Sequence, residues 1–425
     1  MGAVPRRSPI PSQPLSPRRH RPDYILLILS ALLLAIGLIV VYAISPALVV
    51  EKHVSGNFFI TRQLIAIGLG IIIFVITSRV PLEFWRRIAI PLLGVAAGAT
   101  LLALVMPVNA EYPAHRWIRL GGLSFQSVEL LKFALLIALA GFLSMRVKLG
   151  TITDLKSTLK PLAIGAAIVG GVVAWVQSDL GSMMVIIATA GAMVFVAGMP
   201  MKRLFVGAGI LAVLAALVIS AVPYRRARIE AFMHQGNTTN CAALTSGYQA
   251  CQALIAVGSG GMIGLGLGKS VQAFGYLPEA ENDSIFAIYA EKFGFIGISV
   301  LLALLVAFLS RIKRIMELAP DDFTRLVATG VFAWLAIQAL INIGAMVGLL
   351  PLKGITLPFI SYGGTSVLFV MAAVGLVFQI SRYTLYSVPR QTTTDSYSGR
   401  NGGYADRHDG RRVRGAYHPN PGSRA

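Results

Sequence analysis

Long apolar runs alternate with short polar connections along almost the whole chain. Ten runs qualify as spans, at roughly 24–45, 58–78, 88–108, 123–144, 161–178, 180–198, 204–222, 285–310, 326–350 and 359–381. A helix needs roughly 20 residues to cross the hydrocarbon core of a bilayer. The pattern therefore predicts an all-α polytopic membrane protein with about ten transmembrane helices. The first run, Tyr24 to Ser45, is too long for the apolar region of a signal peptide, and no small-residue cleavage site follows it. It is expected to be a retained first span. Composition agrees, because 56% of the 425 residues are hydrophobic and only 13% are charged, where soluble domains carry about 25%.

The connections set topology. The formal net charge is +19, which by itself suggests a nucleic-acid partner, but its distribution points elsewhere. With the N-terminus inside, the cytoplasmic segments hold 26 Lys and Arg against 9 Asp and Glu, while the opposite side holds 11 against 9. That asymmetry is the positive-inside rule, so the basic excess is topological, both termini are expected in the cytoplasm, and no nucleic acid is implied. Three regions follow: a basic N-terminal tail (1–23), a transmembrane domain (24–385) and a disordered basic tail (386–425) suited to anionic membrane lipids. Most connections are short. Two extracytoplasmic segments stand apart, Asn109–Gly122 and the 62 residues from Pro223 to Ser284. A loop that long in a compact fold is usually functional or disordered, and its Tyr, Leu, Ile and Phe content argues against disorder. It holds the only two cysteines, Cys241 and Cys251, which an oxidising compartment would allow to pair.

Ionisable residues inside spans are costly and by default mark functional sites. Glu129 and Lys132, in the fourth span, stand three residues apart on one helix face, after the run Arg116-Trp117-Ile118-Arg119-Leu120-Gly121-Gly122 at its outer mouth. A neutralised pair that only fixes helix packing is the structural alternative. Asp179, in Gln177-Ser178-Asp179-Leu180-Gly181, occupies an outer turn where it could serve merely as a helix cap. Gly264 to Ser270 ends in Gly-Lys-Ser, but Ile263 stands where a phosphate-binding loop requires glycine, and that reading is rejected. Tyr276 to Ile288 puts three carboxylates, Glu279, Glu281 and Asp283, just before an apolar helix. Asp283 stands at the outer mouth of the eighth span, although the helix dipole alone also favours an acid there. Finally, Asn342-Ile343-Gly344 and Gly348 to Ser366, with Pro351, Lys353, Pro358, Ser361 and Tyr362, describe irregular backbone at membrane depth. Such backbone is tolerated only inside protein or around a water-filled cavity; a plain re-entrant packing element is the alternative.

These blocks resemble the FtsW/RodA (SEDS) family, whose usual forms read close to R-W-I-x-L-G-x-x-x-x-Q-P-S-E, Q-P-D-L-G, L-P-E-A-H-T-D-F-I-F-A and G-L-L-P-x-x-G-x-x-L-P-x-x-S-Y-G-G-S-S. The likeness covers about residues 20 to 385, and Lys353-Gly354-Ile355-Thr356-Leu357-Pro358 looks closer to the division branch, FtsW, than to RodA. There are departures. Gln126-Ser127-Val128-Glu129 and Gln177-Ser178-Asp179 each lack a proline, and Glu281-Asn282-Asp283-Ser284 stands for His-Thr-Asp-Phe.

The resemblance implies a peptidoglycan glycosyltransferase polymerising lipid II at the outer face of the cytoplasmic membrane, at the division septum. Asp283 would be the catalytic base. Arg116, Arg119, Lys132 and Lys353 are the cations for the substrate phosphates, with Glu129, Gln177, Asp179, Glu279, Ser361 and Tyr362 as further binding candidates. It also implies a divalent cation, Mg2+ or Mn2+, at no identifiable site, and a class B penicillin-binding transpeptidase with other divisome proteins as partners. The competing readings are a lipid II flippase, an elongation-type RodA polymerase and a non-catalytic divisome scaffold.

Overall fold

The computed structural model describes residues 21–107, 115–120, 123–221, 226–227, 230, 232–233, 247–352 and 354–384. Residues 1–20 and 385–425, Cys241 and Lys353 lie outside the described residues. Helices α1 (Tyr24–Lys52), α2 (Phe58–Arg79) and α3 (Leu82–Val105) lead to a short antiparallel hairpin of β1 (Trp117–Leu120) and β2 (Leu123–Gln126). Helices α4 (Ser127–Lys148), α5 (Lys160–Gly170), α6 (Leu180–Val196) and α7 (Met201–Ser220) follow. The long loop holds α8 (Tyr248–Ser259), and α9 (Ile285–Glu317), α10 (Asp322–Met346) and α11 (Gly364–Ile380) complete the bundle. Eight of the described helices are long and apolar enough to cross a membrane, and α6 and α7 occupy the sixth and seventh expected runs. The chain is a multi-pass membrane protein.

The fourth span begins at Ser127, not near 123. Leu123 to Gln126 are apolar enough to extend the run, but their backbone pairs with β1 in the register Trp117↔Gln126 and Arg119↔Ser124. Thr365, at the start of α11, pins the hairpin by accepting from the Gln126 N–H (3.2 Å) and donating to the Ser124 carbonyl (3.3 Å).

Helix α9 breaks at Gly294, whose φ of 62° and ψ of −163° are not helical. A broken helix frees backbone groups that hydrocarbon cannot satisfy. Here the glycine-rich stretch of the long loop takes them up. The carbonyls of Glu291 and Lys292 accept from Leu265 N (2.9 Å) and Gly266 N (3.0 Å), and the N–H groups of Phe295 and Ile296 donate to Gly261 O (2.9 Å) and Met262 O (3.1 Å). Two backbones run in contact, which is why the stretch is glycine-rich: a Cβ on Gly264 would stand 2.1 Å from the Lys292 carbonyl oxygen.

At the opposite end Asp23 caps α1 and pairs with Arg311 of α9 (Oδ2 to Nη2, 2.5 Å). α1 therefore runs from the end where α9 finishes to the end where α9 begins. We call the latter the loop end. Helices α4, α10 and α11 are buried over most of their length, whereas α2, α3 and the fifth span turn most of their surface to lipid. Membrane helices associate by close packing, which favours small residues at contacts. On α11, a Cβ on Gly375 would lie 2.0 Å from Thr77 Oγ1 and 2.8 Å from the Phe74 carbonyl oxygen of α2. Gly375→Ala should therefore cost about 1–3 kcal/mol by overpacking, read as a lower melting temperature in detergent. Adding Thr77→Ala should restore part of the loss.

Candidate active site

Just before α9 the chain makes a tight turn, Glu279 to Ser284, and its three central carbonyls point away from any helix of their own. Each is bound by a different donor. Tyr362 N donates to Glu281 O (2.8 Å), Ser361 Oγ to Asn282 O (2.6 Å) and Asn342 Nδ2 to Asp283 O (2.7 Å). Asn342 Nδ2 also donates to Ile355 O (2.6 Å), and Ser361 Oγ accepts from Leu357 N (2.7 Å). The irregular 355–362 segment and the acidic turn thus satisfy one another, with α10 as the rigid support. Asp283 itself is half-buried. Its Oδ1 accepts from Gln249 Nε2 of α8 (3.3 Å), and a Cβ on Gly354 would lie 3.7 Å from its Oδ2.

One turn before Asn342, on the same face of α10, Gln338 joins this segment to the buried charges of α4. Lys132 Nζ donates to Glu129 Oε1 (2.7 Å) and to Gln338 Oε1 (3.0 Å), which also accepts from Trp334 Nε1 (2.7 Å). Gln338 Nε2 donates to the Thr356 carbonyl (3.0 Å), and Thr356 Oγ1 meets Ser366 Oγ (3.1 Å). The ammonium lies 5.2 Å from the Trp334 ring centre, a favourable place for a desolvated cation. Burying this pair is costly unless its remaining polar atoms are bonded; the glutamine supplies a second acceptor for the ammonium, while Glu129 Oε2 is buried without a hydrogen-bond partner among the described residues.

The family description Cell cycle protein, covering FtsW, RodA and SpoVE, matches residues 23–386. The chain belongs to the FtsW/RodA/SpoVE family. It is 39% identical over 374 residues to stage V sporulation protein E of Bacillus subtilis, covering 88% of this chain and all of that one. It is 37% identical over 372 residues to a probable peptidoglycan glycosyltransferase FtsW of Saccharophagus degradans, covering 85% of this chain and 93% of the relative. Among solved structures, one of a peptidoglycan synthase complex, concerned with the coordination of polymerization and crosslinking, matches with a TM-score of 0.69 at 26% identity over 85% of this chain and 98% of that chain. The rod shape determining protein RodA of Thermus thermophilus matches with a TM-score of 0.61 at 26% identity over 86% and 98%.

In this FtsW/RodA/SpoVE chain the expected residues fall into two groups. Asp283, Ser361, Tyr362, Glu129 and Lys132 join through Asn342 and Gln338 into one network. Beside α4, Arg116 donates to the carbonyls of Gln177 (3.0 Å) and Ser178 (2.7 Å), and Gln177 Nε2 to Ser127 Oγ (3.1 Å). Asp179 is buried and caps α6, accepting from Ser182 N and Ser182 Oγ (both 2.9 Å). Arg119 donates to Pro107 O (2.7 Å). Glu279 is exposed and accepts from Asn282 Nδ2 (2.5 Å). Cys251 is disulfide-bonded.

Sequence reasoning passed over several residues. Gln338 carried a signal, a polar side chain in an apolar span four residues before Asn342, which the sequence reading places in the irregular block and not among the site residues. Glu291 and Lys292 carried a stronger one as ionisable residues inside the eighth span. Glu291 accepts from Ser270 Oγ (2.5 Å), Val271 N (2.8 Å) and Gln272 N (3.2 Å), and Lys292 Nζ donates to Leu267 O (2.8 Å). Both hold the long loop to the bend of α9. Lys52, which pairs with Glu281, gave no signal.

Asn342→Ala should leave the buried Ile355 carbonyl and the part-buried Asp283 carbonyl without their side-chain donor. The expected loss is about 1–3 kcal/mol for such a group, seen as a lower melting temperature. Hydrogen exchange should quicken at the Tyr362 N–H, which is bonded to the loosened turn.

Proposed function

We propose that this chain polymerises lipid II into glycan strands at the outer face of the cytoplasmic membrane, with Asp283 as general base. The supporting observation is the fixed backbone beneath a half-exposed carboxylate: the turn bearing Asp283 is clamped by Asn342, Ser361 and Tyr362. The function is that of a peptidoglycan glycosyltransferase, as its FtsW relatives are named. Those names also favour a role in septal synthesis during division. The loop end faces outward in this reading and both termini are cytoplasmic, in keeping with the charge asymmetry of the connections.

In the reaction, the 4-hydroxyl of the acceptor's N-acetylglucosamine attacks the anomeric carbon of the donor's N-acetylmuramic acid. Asp283 takes the hydroxyl proton, a C–O bond forms with inversion, and the bond to undecaprenyl pyrophosphate breaks with its electron pair. Such a base must lie within hydrogen-bond reach of the hydroxyl, and a helix mouth at headgroup depth meets that need while the lipid tail stays in the bilayer. The departing pyrophosphate needs positive charge near it. We assign Arg116, Arg119 and Lys353 to it. Glu129 and Lys132 are assigned to the network beneath the site, Gln177 and Asp179 to the turn that holds Arg116, and Glu279, Ser361 and Tyr362 to the mouth.

The expected divalent cation finds no ready protein site, because among the described residues no three His, Cys, Asp or Glu side chains converge. Mg2+ is commonly held by one or two carboxylates together with substrate phosphates, and we propose that a cation enters in that way with the pyrophosphate. The neighbouring structure of a peptidoglycan synthase complex that couples polymerization to crosslinking supports a transpeptidase partner, which we take to be a class B penicillin-binding protein.

Asp283→Asn keeps the side chain's size and should retain expression and membrane insertion. Purified protein should lose about 10²–10⁴-fold in polymerisation rate, measured as glycan length on gels with lipid II as substrate. Glu279→Gln should be milder. Near wild-type strands from Asp283→Asn would move the scaffold or flippase reading ahead. Lys353→Ala should depress polymerisation more than thermal stability, and Lys353→Arg should restore it only in part, because a planar fork differs from a compact ammonium. Wild-type turnover by Lys353→Ala would remove the lysine from the mechanism.

A further inference from the structure

We infer that Lys52 is a positioning residue for the reaction, acting through an ion pair with Glu281 that fixes the turn carrying Asp283; this rests on the reading of Asp283 as the base. Glu281 is 2% exposed, two residues before Asp283. Among the described residues its carboxylate makes one ion pair, with Lys52 Nζ. A buried carboxylate left without its cation must either reach water or take up a proton, and either response moves the turn.

The partner comes from a different element, and its side chain is 42% exposed. Lys52 is the last residue of α1, and the other end of that helix is held by the Asp23–Arg311 pair. The Lys52 ammonium lies 5.8 Å from the Phe59 ring centre, and Phe59 packs edge-on against Tyr362 at 5.4 Å. Tyr362 in turn donates its N–H to the Glu281 carbonyl (2.8 Å). Lys52, Phe59, Tyr362 and Glu281 therefore close a ring of contacts around this residue of the turn. The clamp from α10 and residues 355–362 holds the carbonyls of the turn; Lys52 holds its side chain from α1. A side chain that fixes a reacting group without touching substrate acts on turnover rather than on binding.

The test is the initial rate of polymerisation of lipid II by the purified full-length protein with its transpeptidase partner, for Lys52→Met, Glu281→Gln, the double variant and Lys52→Arg. Lys52→Met should lower kcat by about 10²-fold, the scale of a misplacement near 1 Å, with KM for lipid II little changed. The double variant should be more active than Lys52→Met alone, since the stranded carboxylate is gone, and Lys52→Arg should keep most of the rate. Wild-type kcat in Lys52→Met would overturn the inference. So would losses that simply multiply in the double variant, or a loss confined to KM, which would make Lys52 a substrate contact. If Lys52→Met does not accumulate as folded protein, Glu281→Gln decides, because it is isosteric and wild-type kcat there rejects the role. Asp283→Asn run alongside separates the two readings. Activity in that variant removes the catalytic assignment, while its inactivity together with a fully active Lys52→Met removes only the positioning role.

Discussion

A backbone that leaves helical geometry within a membrane protein must find hydrogen-bond partners inside the protein, because hydrocarbon offers none. Two places in this chain meet that constraint at once. The turn at Glu281-Asn282-Asp283 presents three successive carbonyls, and the break at Gly294 frees two more together with two N–H groups. The first set is satisfied by Asn342, Ser361 and Tyr362, and the second by the glycine-rich stretch of the long loop. Both solutions bring remote segments to one end of the bundle. The candidate base is carried by the first of them.

The buried charges follow from the same constraint. Glu129 and Lys132 are tied by Gln338 to the 355–362 segment, Glu291 accepts from three donors of the long loop, and Glu281 is met by Lys52. Each lies where a helix meets irregular backbone. A buried pair adds little net stability when compared with apolar packing, yet losing one partner is costly. Such pairs therefore serve position more than stability, in keeping with the proposal that a fixed carboxylate meets a lipid headgroup.

Close packing does the remaining work. The central helices α4, α10 and α11 carry the polar residues and are buried over most of their length, while the rim helices meet lipid. The contact of α11 with α2 at Gly375, and of the long loop with α9 at Gly264, leaves no room for a side chain at either glycine. Rigid placement of the polar network depends on those approaches, since a shift in either helix would be carried directly to its hydrogen bonds.

Periodicity and length alone determined the spans and the class of fold, because a bilayer imposes one helix length on every crossing segment. The motif blocks around Glu129, Asp283 and Ser361 also marked out the family. The same reasoning misplaced the start of the fourth span, since a short strand with alternating apolar residues, Leu123 and Phe125, reads as the start of an apolar helix until its hydrogen bonds are known. It treated Arg116, Glu129, Asp283 and Ser361 as separate candidates, and only the folded chain showed that Gln338 and Asn342 bind three of those blocks into one network. Lys52 lies 229 residues from Glu281 in the chain, at the end of an ordinary apolar helix, and nothing near it in sequence sets it apart. The pairing of such groups is decided by tertiary structure, because an ion pair depends on distance in space and the sequence records only distance along the chain.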